Sequence, residues 1–254
     1  MEYDLSLFFI ALLLASGLAA GFVNTIAGGG GFLTLSVLLL MGIPADVANG
    51  TNRVSVSAQS LEGVRGFHRH GALDIPAILP ILAPTVSGSV IGTLLASYMP
   101  VELLRPALLI VMITMATVMM IRPRLMTPAA EEIPKRLAES PGGWAALFAA
   151  GLYGGFIQGG VGFLLLFALV GVMRYSLVQG NALKLVCTFI FGAVALAIFA
   201  IRGQVLWIPG LVITVGTLIG VRYSVNFAVR AKTETLRNVL LLAVIGACVA
   251  AFFR

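Results

Sequence analysis

Charge is the scarcest commodity in this sequence: 254 residues carry 16 lysines and arginines and 10 aspartates and glutamates, while 59% of positions are hydrophobic. With a mean hydropathy of +1.05, that poverty excludes an ordinary soluble domain and defines an integral membrane protein. Cysteine is rarer still. Cys187 and Cys248 lie in apolar runs without metal-ligand spacing and are read as packing residues. The two histidines, His68 and His70 in FHRHGALD, have no cysteine or acid cluster beside them, so no metal site is expected. No Walker loop, nucleophile elbow or HExxH occurs, which removes support for ATP hydrolysis or intramembrane proteolysis. Neither an enzyme nor a cofactor is expected, and there are no candidate catalytic residues. The opening MEYDLSLFF has no base before its first apolar run, unlike a cleaved secretory signal, so the first segment is read as a retained helix. The net charge of +6 is spread over loops between apolar segments, where membrane topology explains it better than nucleic-acid binding.

What the chain has in quantity is long apolar runs. Leu5–Ile26, Ile75–Met99, Leu103–Ile121, Cys187–Ile201 and Leu236–Phe253 reach or approach the roughly 20 residues a helix needs to cross the hydrocarbon. They are continuous rather than alternating, which selects helices over barrel strands.

The chain is also written twice. AAGFVNTIAGGGGFLTL at 19–35 matches AAGLYGGFIQGGVGFLLL at 149–166, and LLRPALLIVMI at 103–113 matches TLRNVLLLAVI at 235–245. Two matches in the same order imply a duplication with about five apolar segments per half. The expected architecture is an all-α integral membrane protein of two repeats, 1–122 and 143–254, joined by a Pro- and charge-rich cytoplasmic linker at 123–142. Lysine and arginine accumulate in cytoplasmic loops. In the first half Arg65 and Arg69 follow the polar segment, whereas in the second the bases gather one loop later, at Arg222, Arg230, Lys232 and Arg237. Equivalent loops thus fall on opposite sides, the mark of an inverted repeat. The N-terminus is expected outside. Phe32–Met41 and Phe163–Val172 cover only about 15 Å each, which favours broken or re-entrant helices at the glycine-rich turns.

One segment resists the apolar pattern: ANGTNRVSVSAQSLEG, Ala48–Gly63. A charge near mid-membrane costs at least about 2.5–3.5 kcal/mol, so Arg53 needs a partner or a watery cavity. Asn49 and Ser57 share its helix face, and Asn52 adjoins it. At the matching place in the second half Lys184 stands between Asn181 and Thr188, with Gln179 nearby. An inverted repeat would bring the two segments together near the midplane. Two bases with neutral donors and few acids suit a small oxyanion; the plainer reading is that each base snorkels and anchors its helix.

The glycine clusters, Gly28, Gly29, Gly30 and Gly31 and then Gly159, Gly160 and Gly162, also admit two readings. They allow close helix packing, or they unwind the chain so that the next half-helix offers backbone donors to an anion, or act as hinges. Asn24 and Gln158 stand beside these breaks as caps or substrate contacts. Glu62 lies three residues before Arg65 and reads as half of an ion pair, with proton coupling as the alternative.

At these residues the sequence resembles the sulfite exporter TauE/SafE family of small anion permeases. The likeness rests on AGFVNTIAGGGGFLTLSVLLLMGIPADVANGTN, on GGFIQGGVGFLLLFALVGV, and on the turns at Gly71 and Gly203, and it covers nearly the whole chain. It implies export of sulfite, of organosulfonates such as sulfoacetate, or of related oxyanions across a bacterial inner membrane. The second half departs from the pattern at GNALK, and Pro44 has no counterpart there.

The expected function is therefore secondary transport by alternating access around a midplane site with two bases. A membrane scaffold that moves nothing, or an anion channel, are the alternatives. The expected partners are a small anion and the lipid bilayer, with a homodimer left open.

Overall fold

The computed structural model describes residues 6–26, 28–104, 106, 107, 110, 134–232 and 235. The expected spans at 103–121 and 236–253, most of the linker, and Cys248 lie largely or wholly outside the described residues.

The described chain is helical throughout, with no strand among these residues. Its helices are α1 (Leu7–Ile26), α2 (Gly30–Leu40), α3 (Ala45–Arg69), α4 (Ile75–Tyr98), α5 (Pro141–Phe156), α6 (Val161–Leu166), α7 (Leu177–Ile201) and α8 (Trp207–Arg230). A π-helical turn, Phe167–Val172, extends α6. Local chemistry sets several ends. Ser140 accepts a bond from the Gly143 amide at 3.1 Å, with Pro141 in the first position of α5. Ser176 caps α7: its hydroxyl accepts from the Gln179 amide at 3.3 Å and donates to the Gln179 Oε1 at 3.1 Å.

Four helices, α1, α4, α7 and α8, are long and apolar enough to cross a membrane. The polar helix α3 is not among them, and packing explains how it is tolerated. Every residue from Val47 to Ser57 is buried, so this stretch of the helix is enclosed by protein on all sides. The helix packs chiefly on α7 and α8, touches α1 and α2, and reaches the end of α5 through side-chain hydrogen bonds.

Small residues bring the helices into backbone contact. A methyl group on Gly17 or Gly21 of α1 would lie 2.5 Å from the Ile213 carbonyl oxygen or 2.3 Å from that of Thr217. One on Gly216 or Gly220 of α8 would meet the oxygens of Leu14 and Leu18 at 2.3 and 2.2 Å. The same interlock joins α4 to α5. There Gly88 and Gly92 lie against Phe148 and Leu152, and Gly151 and Gly155 against Thr85 and Ser89. Four G-x-x-x-G pairs thus replace side-chain packing with close van der Waals contact, the main source of helix association where lipid is as apolar as protein.

The registers fix directions. Residue numbers rise together along α1 and α8, and along α4 and α5. They also rise together along α3 and α8, where Val54 meets Gly210 and Glu62 meets Arg222. Along α3 and α7 they run oppositely: Gly50 packs on Phe199, Ser57 on Gly192 and Gly63 on Leu185.

Candidate functional site

The two glycine turns meet. Helix α1 ends at Ile26 and α2 begins at Gly30. Between them Gly28 adopts φ +97°, a left-handed conformation that L side chains rarely take. Helix α5 ends at Phe156 and α6 begins at Val161, with Gly160 at φ +79°. A Cβ on Gly28 would fall 2.4 Å from the Gly162 Cα, and one on Gly162 would fall 2.3 Å from the Gly28 Cα. The rings beyond exchange places: Phe163 covers Gly29, while Phe32 covers Gly159 and Gly160. Gly30 is held against the Ala20 carbonyl and Gly31 lies near the Gly159 backbone.

Both predicted bases are buried, Arg53 at 0% and Lys184 at 1% exposure. Each reaches across to the other half of the chain. Arg53 Nη1 donates to the Gly154 carbonyl at 3.1 Å and to Gln158 Oε1 at 3.0 Å, and Nη2 donates to the Gly155 carbonyl. Its guanidinium lies 4.9 Å from the centre of the Phe199 ring. Lys184 Nζ donates to the carbonyls of Asn24 and Thr25 at 2.8 and 2.9 Å and to Asn181 Oδ1 at 2.7 Å. The backbone acceptors are final-turn carbonyls of α5 and α1, which have no partner within their own helices and carry the negative end of the helix dipole. Each base therefore caps the helix that precedes the opposite glycine turn.

The surrounding amides serve the same turns. Asn49 Nδ2 donates to the Phe156 carbonyl at 2.9 Å, and Asn52 Nδ2 to that of Gly31 at 3.3 Å. Asn52 Oδ1 accepts from the Thr34 hydroxyl at 2.6 Å. Tyr153 donates its hydroxyl to the Gly159 carbonyl at 2.8 Å.

The structure brings α3 and α7 together but sets their bases at different depths. With Gly63 level with Leu185, Arg53 and Lys184 are separated by about 15 Å along the helix axis, at 1.5 Å per residue. The glycine turns lie between the two capped helix ends. Thr188 bonds back to the Lys184 carbonyl at 2.8 Å, and Gln179 belongs to the cap of α7. Glu62 lies apart from these groups. Its Oε1 accepts from Arg222 Nε at 3.0 Å, and its Oε2 lies 3.9 Å from Arg65. His68 and His70 are exposed, and no group of potential metal ligands occurs among the described residues.

Two electrostatic facts define the site. Among the described residues no carboxylate pairs with either base. Several buried polar groups around them, Arg53 Nε, Ser57 Oγ and Asn181 Nδ2, have no hydrogen-bond partner. Sequence reasoning missed the partners: Gly154, Gly155, Asn24 and Thr25 act through backbone carbonyls, which leave no side-chain signature. It read Phe32 and Phe163 as the starts of the half-helices, which begin instead at Gly30 and Val161, and not as the rings that cover the opposite turns.

Apolar helices packed around a polar, base-bearing helix and joined by glycine turns make this a polytopic helical membrane protein. The chain belongs to the family described as Sulfite exporter TauE/SafE, which it matches over residues 13–251. It is 29% identical over 233 residues to a probable membrane transporter protein of Haemophilus influenzae, covering 92% of this chain and 90% of that one. It is 27% identical to the probable membrane transporter protein YfcA of Escherichia coli strain K12 (93% and 84% covered). To the probable membrane transporter protein ORF9 of a Sinorhizobium species it is 24% identical (96% and 92%). No solved structure matches it significantly. The family and these relatives indicate a membrane transporter.

Proposed function

We propose that the protein exports small anions, with sulfite or an organosulfonate such as sulfoacetate as cargo, by alternating access in a bacterial inner membrane. The observation that carries this reading is the pair of buried cations without a carboxylate partner. A buried charge needs a counter-charge or a dense shell of polar groups. Here carbonyl oxygens supply that shell, and an anion's oxygens are the ligands that can replace them with stronger, charge-assisted bonds.

Exchange of partners gives the transport step. An anion arriving from one side at the glycine junction takes Arg53 from the Gly154 and Gly155 carbonyls; one leaving toward the other takes Lys184 from Asn24 and Thr25. Because each base grips the opposite half, loading at a base loosens one half from the other. Asn49, Asn52, Ser57, Asn181 and Thr188 are the neutral shell, and the glycine turns are the hinge. Gln179 fixes the start of α7.

An inverted relation between residues 1–122 and 143–254 is supported by the exchange of partners. The α1–α8 contact is answered by α5–α4, Phe163 over Gly29 by Phe32 over Gly160, and α3 runs antiparallel to α7. The bases at Arg65, Arg69, Arg222 and Arg230 favour a cytoplasmic face at the C-terminal ends of α3 and α8. Since α1 runs parallel to α8, its N-terminus then lies outside. With the interior negative, expelling a monoanion is favoured by about 2.3 kcal/mol per 100 mV, so export requires no coupling ion.

The test is counterflow of labelled sulfite and sulfoacetate in proteoliposomes. Saturable exchange by the wild-type protein, lost in Arg53→Gln and Lys184→Gln variants that remain folded, is expected. Exchange at the wild-type rate in both variants would remove the bases from the mechanism. No exchange of any anion by folded wild-type protein would turn the reading to a scaffold, and flux that fails to saturate would turn it to a channel.

A further inference from the structure

A second concentration of positive charge lies outside the helix crossing. At the ends of α3 and α8 a cleft of about 500 Å³ is lined by Glu62, Arg65, Arg69, His70, Arg222 and Asn226, with Val221 and Val225 among its apolar walls. Glu62 is the least exposed of its charged triad, at 20%, against 59% for Arg65 and 71% for Arg222. It engages Arg222 through Nε, which leaves both Nη groups of that guanidinium outside the bond. Three arginines face one glutamate, so the cleft is net positive. His70 is fixed at its rim, its Nδ1 2.8 Å from the Gly66 carbonyl.

The chain contains its own control for whether the fold needs these charges. Counting from Gly71 and Gly203, the left-handed turns that follow the two helices, the residues answering to Glu62, Arg65, Arg69 and His70 are Val194, Ala197, Ile201 and Arg202. Counting from Gly220 and Gly88, which lie against Leu18 and Phe148 at matching places in the two interlocked pairs, Arg222 is answered by Val90. The same helix ends are thus built once with five charged or titratable residues and once with a single one, Arg202. On that other face Arg202 donates to the Ser97 carbonyl at 3.1 Å and stacks over Tyr98 at 3.9 Å.

Cytoplasmic topology asks only for bases in loops and at helix ends, a role that Arg69, Arg230 and Lys232 fill. Arg222 lies two turns within α8, about 12 Å before Arg230 at 1.5 Å per residue. A guanidinium held there by a single carboxylate, beside two others and over an apolar floor, is arranged to meet oxygens from outside.

We propose that the α3–α8 cleft binds a tetrahedral phosphate-type oxyanion, separately from the Arg53 and Lys184 positions. Such a group reaches the cleft either as a free ion or as the headgroup of an anionic lipid. The proposal does not depend on transport, since it concerns binding to the resting protein.

The experiment uses the full chain in nanodiscs of phosphatidylcholine, with the thermal unfolding midpoint as readout. Inorganic phosphate is titrated at constant ionic strength in one arm, and phosphatidylglycerol replaces part of the lipid in the other. A saturable rise in midpoint is expected in one arm. Arg222→Gln and Arg69→Gln should each weaken it by about tenfold, as loss of one charge-assisted bond implies, while Arg202→Gln on the opposite face retains it. A response to phosphate in pure phosphatidylcholine identifies a free oxyanion, and a response to phosphatidylglycerol alone identifies a lipid headgroup. The proposal is overturned if neither probe shifts the midpoint, or if the shift survives in both cleft variants. Because both arginines are exposed, the midpoint without probe verifies that each variant folds.

Discussion

Replacing Lys184 by methionine separates its work as a cap from its work as a charge. The side chain keeps nearly the same length and loses its three donors, so the carbonyls of Asn24 and Thr25 remain buried without the bonds now measured at 2.8 and 2.9 Å. An unsatisfied buried acceptor costs about 1–3 kcal/mol, which puts the gross loss for two at about 2–6 kcal/mol. Against it stands the relief of no longer burying an ammonium, so a net destabilisation of about 2–4 kcal/mol is expected. Glutamine at the same position restores neutral donors without charge and should recover part of that stability. The assay is unfolding of purified wild-type, Lys184→Met and Lys184→Gln proteins in one detergent, with counterflow measured on the same preparations. The expected order of stability is wild type, then Gln, then Met, with transport absent from both variants. A methionine variant as stable as the wild type, or more so, would refute the argument, because ammonium desolvation would then outweigh the bonds to the end of α1.

Other substitutions probe other links. Gly28→Ala combines left-handed strain with a Cβ 2.4 Å from Gly162, whereas Gly42→Ala at φ +77° meets nothing within 4 Å. Unfolding should show a loss of about 1–2 kcal/mol for Gly42→Ala and about 2–5 kcal/mol for Gly28→Ala; equal losses would mean that the turns do not abut. Burial, and secondarily the charge of Asp74, raise the pKa of Tyr175 in the loop before α7. Its contribution is therefore fully present below the unfolded value of about 10 and is lost as pH rises through the folded value, so Tyr175→Phe should flatten the alkaline arm of a stability profile. Glu62→Gln removes a carboxylate from two exposed arginines and should change unfolding stability by no more than about 1 kcal/mol; a loss well above that would show the pair to be structural.

The class of fold was legible because hydropathy reports solvent directly, and no soluble core needs such long apolar runs. The recurrence of a base between an amide and a hydroxyl was legible too, since both groups of residues stand in the sequence itself. The partners of those bases were not. Arg53 and Lys184 end on backbone carbonyls more than 100 positions away, and a carbonyl is present at every residue. For the same reason Glu62 pointed to Arg65, its neighbour on the helix, while its shorter contact is with Arg222 on α8. Two signals were present but unread. Ser176, three residues before Gln179, spells a helix N-cap, and its bonds account for Gln179 without a ligand. Gly17 with Gly21, Gly88 with Gly92, Gly151 with Gly155 and Gly216 with Gly220 repeat the four-residue glycine spacing that marks the tightest helix contacts.

The interlock of α1 with α8 has a consequence for biogenesis. Gly17 finds its partner at Ile213, so the first described helix packs against the last. At roughly 5–20 residues per second, synthesis of the intervening chain takes on the order of 10–40 s. Throughout that interval the glycine face of α1 lies against lipid or an insertion chaperone. Truncations that stop before α8 should therefore leave α1 without its native seam and expose the nascent chain to quality-control proteolysis, whereas α4 and α5 join as soon as α5 is inserted.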